Sequence, residues 1–451
     1  MAFACSACGH RTIKWYGRCP SCGSWDTLAE TEDKKTRGKT GSPNRPWLGE
    51  PVRTIDQIDL AAVERRPSGL AELDRILGGG LVPGSVILFG GEPGIGKSTL
   101  LLQVARSVAN TDANVLFVSG EESESQVKLR AARLGIEGER LYLLSEQAMD
   151  RIEAAVESVR PTVLIVDSIQ TMRAAEGEGA DGGIRQLRDA CGALIRLAKS
   201  GQITTFLVGH VTKDGAFAGP KTIEHLVDVA VYLEGSRTDE FRILRSVKNR
   251  FGPTHEAAVF QMTGAGLIEV QDPSSLFLEA HRGEPPPGAV VVPILEGTRP
   301  ILVELQALVS PTGGFGVPQR RCTGVDVNRM MLLLAVVEKR MSVQIGGADV
   351  YVSVAGGLDI RERATDLGIV AAIVSSLRNR PIDRRTAVVG EVGLSGETRS
   401  VRRLIERIGE AKKLGYERVI VPAGKKPVDV ERVDVLPVES INEAVERLGL
   451  G

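Results

Sequence analysis

The chain carries Gly91-Glu92-Pro93-Gly94-Ile95-Gly96-Lys97-Ser98-Thr99 directly after the apolar run Val86-Ile87-Leu88-Phe89. This is G-x-x-x-x-G-K-[ST] in the context that gives the pattern meaning, a strand feeding a helix. Glycines let the backbone curl, so that successive N–H groups and the helix N-terminus point at phosphates. Lys97 would reach the β- and γ-phosphates, and the Ser98 hydroxyl would sit on Mg²⁺. An ordinary Gly-rich turn would not need the strand before it or the Leu100-Leu101-Leu102 run behind it. The motif predicts a nucleoside triphosphate site for ATP and Mg²⁺ on an α/β sheet.

Apolar runs recur at 115–118, 163–166 and 205–208, separated by helical patterns at 122–134, 150–159 and 184–199. Continuous apolar strands alternating with helices imply a parallel sheet covered on both faces. Later runs near 229–233, 241–247 and 257–262 read as an antiparallel extension. At 451 residues the chain is long enough for two or three domains, and 56 basic against 57 acidic residues leave a net charge of −1. A polyanion partner would therefore need a local surface. With aromatics at 4%, the cores are built from Leu, Ile, Val and Ala. No apolar run has the length of a membrane span, and the N-terminus lacks a signal-peptide pattern. The expectation is a soluble cytoplasmic protein whose six cysteines are not disulfides.

Cys5-Ser6-Ala7-Cys8 and Cys19-Pro20-Ser21-Cys22 form two C-x-x-C knuckles, each followed by glycine (Gly9 and Gly23). Four thiolates at this spacing can close a tetrahedron around one Zn²⁺, and metal would supply the folding energy that so short a segment lacks. A pair of redox dithiols is the alternative, but paired knuckles have little use in thioredoxin-type chemistry. His10 reads as a solvated loop residue; Cys191 and Cys322 read as small buried side chains. Residues 1–30 are thus a four-cysteine zinc ribbon, and residues 31–46 a flexible basic linker, either a plain tether or a phosphate-contacting arm.

Asp167 ends the run Val163–Val166, where a carboxylate holds Mg²⁺ through water; it would also suit a helix N-cap. Glu121 and Glu122 follow the run that starts at Val115. A carboxylate there could orient and deprotonate the attacking water, the arrangement of RecA-like ATPases; sequence leaves open which of the two does so. His210 follows the run 205–208, placed to sense the γ-phosphate and pass its state to the Gly- and Lys-rich loop reaching Lys221. A second Gly-rich loop, 171–183, is flanked by Arg173, Arg185 and Arg188. Two basic loops on one sheet edge would line the bore of a ring and track a DNA backbone.

Lys248-Asn249-Arg250-Phe251-Gly252 is similar to the signature pentapeptide of the bacterial RadA (Sms) recombination and repair family. The ribbon, the phosphate loop and the third block appear in that family's order over essentially the whole chain. The resemblance implies that Lys248 and Arg250 complete the ATP site of the adjacent subunit, in the manner of an arginine finger. Residues 273–451 read as a separate α/β domain, of which 345–405 resemble the Lon proteolytic domain at Ala364-Thr365-Asp366-Leu367-Gly368-Ile369 and Gly390-Glu391-Val392-Gly393-Leu394-Ser395-Gly396. Asp366 stands at the serine position and Ile405 at the lysine position of the Ser–Lys dyad. Neither can do that chemistry, so the domain is expected to be proteolytically inactive.

The resemblance implies three domains: the zinc ribbon, a RecA-like P-loop ATPase over 47–272, and a Lon protease-like domain over 273–451. It implies a homo-hexameric ring that binds single-stranded and branched DNA. That ring would act as a branch-migration or helicase-like motor beside the RecA recombinase. Arg320, Arg321, Arg329, Arg378, Arg380, Arg384 and Arg385 are candidates for its DNA patches. An ATP-gated clamp without translocation is the alternative. A circadian-type kinase of the same fold should carry a second phosphate loop, which the sequence lacks.

Overall fold

The computed structural model describes residues 2–7, 11–12, 15–25, 27–31, 54–57, 64–173, 183–210, 222–235, 240–254, 256–278, 285–313, 316–424 and 429–451. The chain divides into two units, Met1–Val52 and Arg53–Gly451. Cys8, His10, nearly all of the linker, and most of the two basic loops (174–182 and 211–221) fall outside the described residues.

The first unit is a three-stranded antiparallel sheet: β1 (Ala2–Cys5) lies between β2 (Arg11–Thr12) and β3 (Leu28–Thr31). Its buried centre is Cys5 with Cys19. Among the described residues no larger apolar cluster lies in this unit, which suits strands stabilised by a metal.

The second unit holds two large sheets. The first orders its nine strands β12-β11-β10-β9-β4-β8-β7-β5-β6. These are β4 (Val86–Gly91), β5 (Val115–Ser119), β6 (Leu141–Ser145), β7 (Val163–Asp167), β8 (Thr204–His210), β9 (Val229–Glu234), β10 (Phe241–Asn249), β11 (Ala257–Thr263) and β12 (Gly266–Glu269). The helices among them are α1 (Ala71–Leu77), α2 (Lys97–Ala109), α3 (Glu124–Arg133), α4 (Met149–Val159), α5 (Ile184–Gly201) and α6 (Thr222–Leu226). Successive strand residues face opposite sides. Ile87, Phe89, Phe117 and Ile165 pack with Leu101 and Val104 of α2. Leu88, Leu116, Leu164 and Val166 pack with Ile152 of α4 and Leu194 of α5. A run buried on both faces is apolar throughout, which is why the sequence showed these strands so clearly.

Two details correct the sequence reading. The 229–233 run is a parallel neighbour of β4, and the antiparallel extension begins only at β10. Residues 141–145 form an edge strand, β6, that the sequence analysis did not identify. Its residues are at most half-buried, so they lack the continuous apolar signature.

A short α7 (Ser274–Phe277) precedes the second sheet, ordered β15-β16-β14-β13-β17-β20-β21. It consists of β13 (Ala289–Glu296), β14 (Arg299–Pro311), β15 (Arg320–Thr323), β16 (Ala348–Val354), β17 (Thr386–Val388), β20 (Arg418–Pro422) and β21 (Asp434–Val438). A two-stranded hairpin, β18 (Glu391–Val392) and β19 (Thr398–Arg399), stands apart. Side chains of α8 (Val327–Met341), α9 (Asp366–Arg378) and α11 (Ile441–Arg447) share one core with the sheet, and α10 (Leu404–Lys413) contributes to another through Ile408 and Ala411.

The β13–β14 turn reaches the first sheet. Glu296 pairs with Arg245 of β10, Thr298 bonds Glu256, and Arg299 pairs with Glu72 of α1 at 3.2 Å. Behind the turn, Arg407 of α10 donates to Glu362 at 2.6 Å and to the Pro293 carbonyl at 2.5 Å.

Candidate functional site

The register of the first sheet brings the expected site residues into one row. Gly91 at the end of β4 pairs with His210 at the end of β8, and Asp167 at the end of β7 pairs with Ser119 at the end of β5. The C-terminal edge of a parallel sheet is where open α/β folds bind ligands. Gly94 and Gly96 take φ of 77° and 117°, the left-handed region that admits glycine without strain. At Gly96 a Cβ would also fall 2.6 Å from the Met262 side chain. Helix α2 starts at Lys97 with Gly96 as its N-cap and no side-chain cap hydrogen bond. Its first N–H groups therefore remain available to an anion.

Lys97 is folded into this loop. Its Nζ donates to the Gly91 and Glu92 carbonyls, each at 2.8 Å, and lies 3.2 Å from His210 Nδ1. Burial pushes its pKa down to about 8, against the pull of Asp167, Glu121 and Glu92. Burial raises the pKa of Asp167, while a hydrogen bond from Ser98 lowers it. The two groups expected on Mg²⁺ are thus already in contact, which suits one shared cation.

The two glutamates have different surroundings. Glu122 pairs with Arg130 of α3, and its backbone N–H donates to Ser119 Oγ at 2.9 Å. Glu121 lies 3.2 Å from His210 Nε2 and accepts a hydrogen bond from Ser168 Oγ at 2.6 Å. A chain of polar contacts therefore runs Lys97–His210–Glu121–Ser168. Sequence reasoning did not foresee the contacts of Ser168 and Arg130. Glu122 precedes the extended N-cap Ser123 of α3, so no helical spacing signals its pairing with Arg130.

Lys248 and Arg250 are not in this row. Lys248 pairs with Ala230, which pairs with Leu88, three residues down β4 from Gly91 and two strands across. At about 3.3 Å per residue and about 4.8 Å per strand, this places it about 14 Å from Gly91. Its Nζ donates to the Glu224 carbonyl at 2.7 Å. Arg250 pairs with Asp228 at 3.3 Å, and Asp228 accepts from the Val86 N–H at 3.0 Å, at the opposite end of β4 from the phosphate loop.

In the ribbon, the sulfurs of Cys5, Cys19 and Cys22 lie within 4.8 Å of one another, with Cys5 and Cys22 at 3.7 Å. Zn–S bonds of about 2.3 Å at tetrahedral angles put sulfurs about 3.8 Å apart, so the cluster fits zinc. The fourth expected ligand, Cys8, lies outside the described residues. Cys191 is buried, as expected, with its thiol pushed up to about 12; Cys322 is half-buried.

In the second sheet, Asp366 is 1% exposed and paired with Arg329, and it accepts the Val392 N–H at 3.1 Å. Arg329 is thereby committed internally to Asp366 and the Val392 carbonyl, which corrects the expectation that it faces DNA. Ile405 is exposed. Arg378 and Arg380 bond backbone oxygens of Leu450 and Gly451, Arg320 bonds those of Ala348 and Ile345, and Arg385 pairs with Glu417.

A parallel sheet with this loop and carboxylate row at its edge defines a P-loop ATPase, here joined to a zinc ribbon. The chain is 46% identical over 449 residues to DNA repair protein RadA of Halalkalibacterium halodurans (98% of this chain, 97% of the relative), and 45% identical over 460 residues to DNA repair protein RadA of Bacillus subtilis (100% and 98%). It belongs to the DNA repair protein RadA family of ATPases. The Synechocystis relative of the same name is 44% identical over 471 residues, covering 98% of this chain and 93% of that one. Family models described as an AAA domain, a rubredoxin metal binding domain and subunit ChlI of Mg-chelatase match residues 53–216, 3–30 and 338–425. A KaiC-like protein from Pyrococcus horikoshii OT3 aligns over 46% of this chain and 99% of its own at 19% identity, with a TM-score of 0.40, too slight a likeness to bear on function. Among the described residues no helix is long and apolar enough to cross a membrane.

Proposed function

We propose that the protein is an ATP-driven DNA motor that remodels recombination intermediates as a ring of identical subunits. The loop amides of 91–99 and Lys97 bind the triphosphate. Ser98 and Asp167 would hold Mg²⁺, which neutralises charge on the phosphate oxygens. Glu121 acts as the base toward the attacking water, because Glu122 is already neutralised by Arg130. His210 touches both Lys97 and Glu121 and reports the γ-phosphate to the loop that follows it.

The observation that carries this reading is the register of Lys248 and Arg250. Lys248, level with Leu88 and about 14 Å from Gly91, and Arg250, paired with Asp228 beside the start of β4, stand outside the row that holds their own phosphate loop, so the nucleotide they would serve is a neighbour's. Hydrolysis would then require assembly, as a ring motor does and an isolated ATPase does not. The Cys5, Cys8, Cys19 and Cys22 set would hold zinc. The domain boundaries are 1–30, 31–46, 47–272 and 273–451, the last a Lon-like scaffold without peptidase activity. Its exposed basic residues, with the loops flanked by Arg173, Arg185 and Arg188, would contact single-stranded and branched DNA, and RecA would be the companion recombinase.

The test is unwinding of forked DNA with ATP against a non-hydrolysable analogue. Strand separation with ATP alone is the expected result. ATP-dependent binding without any separation would replace the motor by a clamp.

A further inference from the structure

Two of the chain's three tryptophans, Trp15 and Trp25, lie in the first unit, on a chain with only 4% aromatic residues. Both are on the surface: Trp25 is 70% exposed, Trp15 56%, and the adjacent Tyr16 48%. The buried centre of this unit is Cys5 with Cys19, so neither indole serves as its core. A unit that a metal would hold through sulfur gains little stability from rings this exposed. Tryptophan left on a surface is typical of binding interfaces. Arg18 is set against one of the rings. It bridges Trp25 across an antiparallel pair, its Cζ lies 5.7 Å from the ring centroid, and its Nε donates to the Gly23 carbonyl at 2.8 Å. Gly23 has φ of 76°, and a Cβ there would fall 3.2 Å from Arg18 Nη2, so the glycine leaves room for the guanidinium. The cation is thus held beside the ring, and both remain exposed.

We infer that Trp25, Trp15 and Tyr16 stack the bases of single-stranded DNA, with Arg18 meeting the phosphate beside Trp25. An indole or phenol ring offers a flat π-face to any base, which gives binding without sequence preference. The guanidinium supplies the cation that the adjoining phosphate needs, and its own plane stacks on rings. Charge argues for this occupant over an apolar protein surface. Residues 1–46 carry eight Lys and Arg against four Asp and Glu, although the whole chain has a net charge of −1. They are the locally basic segment that a polyanion requires of a chain without a global field. Single strands suit the rings better than a duplex, whose bases are stacked on each other and closed to an indole. The inference rests on the DNA reading above for its ligand, and gives that ligand a site on residues that belong to neither large sheet.

The experiment uses the full chain with a non-hydrolysable ATP analogue, and follows binding of oligothymidylate and of a duplex of equal length by fluorescence anisotropy. Trp25→Ala is expected to bind oligothymidylate about 5- to 150-fold more weakly, the usual loss of one stacked base. Trp25→Phe, which keeps a π-face, should recover most of that loss. Duplex affinity should stay within about twofold of the parent, and zinc content and basal ATP hydrolysis should match it. A direct reading comes from Trp47→Phe protein, in which Trp15 and Trp25 are the remaining indoles. Its emission should be quenched by oligothymidylate, because a stacked thymine quenches indole fluorescence. Should Trp25→Ala lose its zinc, this quench decides. An equal loss on the duplex overturns the inference. Bound oligothymidylate without a quench also overturns it, and leaves these rings to a protein partner. A parent that binds no oligothymidylate overturns the DNA reading together with the inference. A parent that binds it no better than zinc-loaded Trp25→Ala sinks the stacking role alone.

Discussion

Lys97 and His210 face each other across the nucleotide edge of the first sheet, Nζ to Nδ1 at 3.2 Å. The lysine is held by loop carbonyls and the histidine, so an arriving triphosphate replaces those partners rather than finding a bare cation. The same histidine touches Glu121 through its other nitrogen. One ring thus joins the group that would grip phosphate to the group that would activate water.

Replacing Lys97 by Ala should abolish detectable hydrolysis, a fall of at least about 10²-fold, with circular dichroism unchanged because the loop amides survive. A pH effect on stability follows from the same residue. Its folded pKa is about 8 against an ordinary 10.5. Between those values the unfolded chain binds more protons, so stability rises with pH there. Denaturant titrations of nucleotide-free protein should show the parent gaining on Lys97→Ala across about pH 8 to 10.5. Parallel curves would contradict the buried environment of the amine.

Glu121 and Glu122 should separate cleanly. Glu121→Gln is expected to lower the hydrolysis rate by about 10²–10⁴ at unchanged ATP affinity. Glu122→Gln should retain activity within about tenfold, since Arg130 already neutralises it. Single-turnover rates give the answer, and the reverse ranking would transfer the base role to Glu122.

Cys5→Ser or Cys22→Ser should release one zinc per chain, read by atomic emission on the native and variant proteins. Proteolysis should then consume residues 1–30 while the second unit stays protected. Native protein without zinc would exclude the ribbon assignment.

Lys248→Ala and Arg250→Ala should bind ATP nearly as well as the parent and lose about 10³–10⁵ in rate, the usual contribution of a cation supplied by a neighbour. Mixing Lys248→Ala with Lys97→Ala subunits should restore part of the activity, at interfaces where an intact loop meets an intact cation. Mixed rings that demonstrably form yet stay silent would make Lys248 a cis or structural residue.

The phosphate loop was legible because its chemistry is local: three glycines, a lysine and a hydroxyl within nine residues, between a strand and a helix. The same holds for the cysteine knuckles. The core strands showed themselves because burial on both faces leaves no polar alternation. Strand β6 escaped because an edge keeps polar side chains. That β9 runs parallel to β4 depends on pairing across more than a hundred residues, which no local pattern encodes. That Glu122 rather than Glu121 pairs with Arg130 depends on a side chain reaching back along α3, which no local pattern signals. The register shift of β10 between Ser246 and Lys248 left no mark either, since Ser246-Val247-Lys248 reads as ordinary alternation.

Lodging the β13–β14 turn against β10 has a mechanical consequence. Arg245, which grips Glu296, is three residues from Lys248 on one strand, about 10 Å of backbone that includes the register shift between Ser246 and Lys248. The strand that presents a cation outward is therefore also the spoke on which the second sheet hangs. A push delivered at Lys248 has a direct route to Glu296 and, through the turn, toward Arg407 of α10, without passing through the phosphate loop. If Lys248 serves a neighbour's nucleotide, as proposed, this route would gear the second sheet to the neighbour rather than to its own phosphate loop.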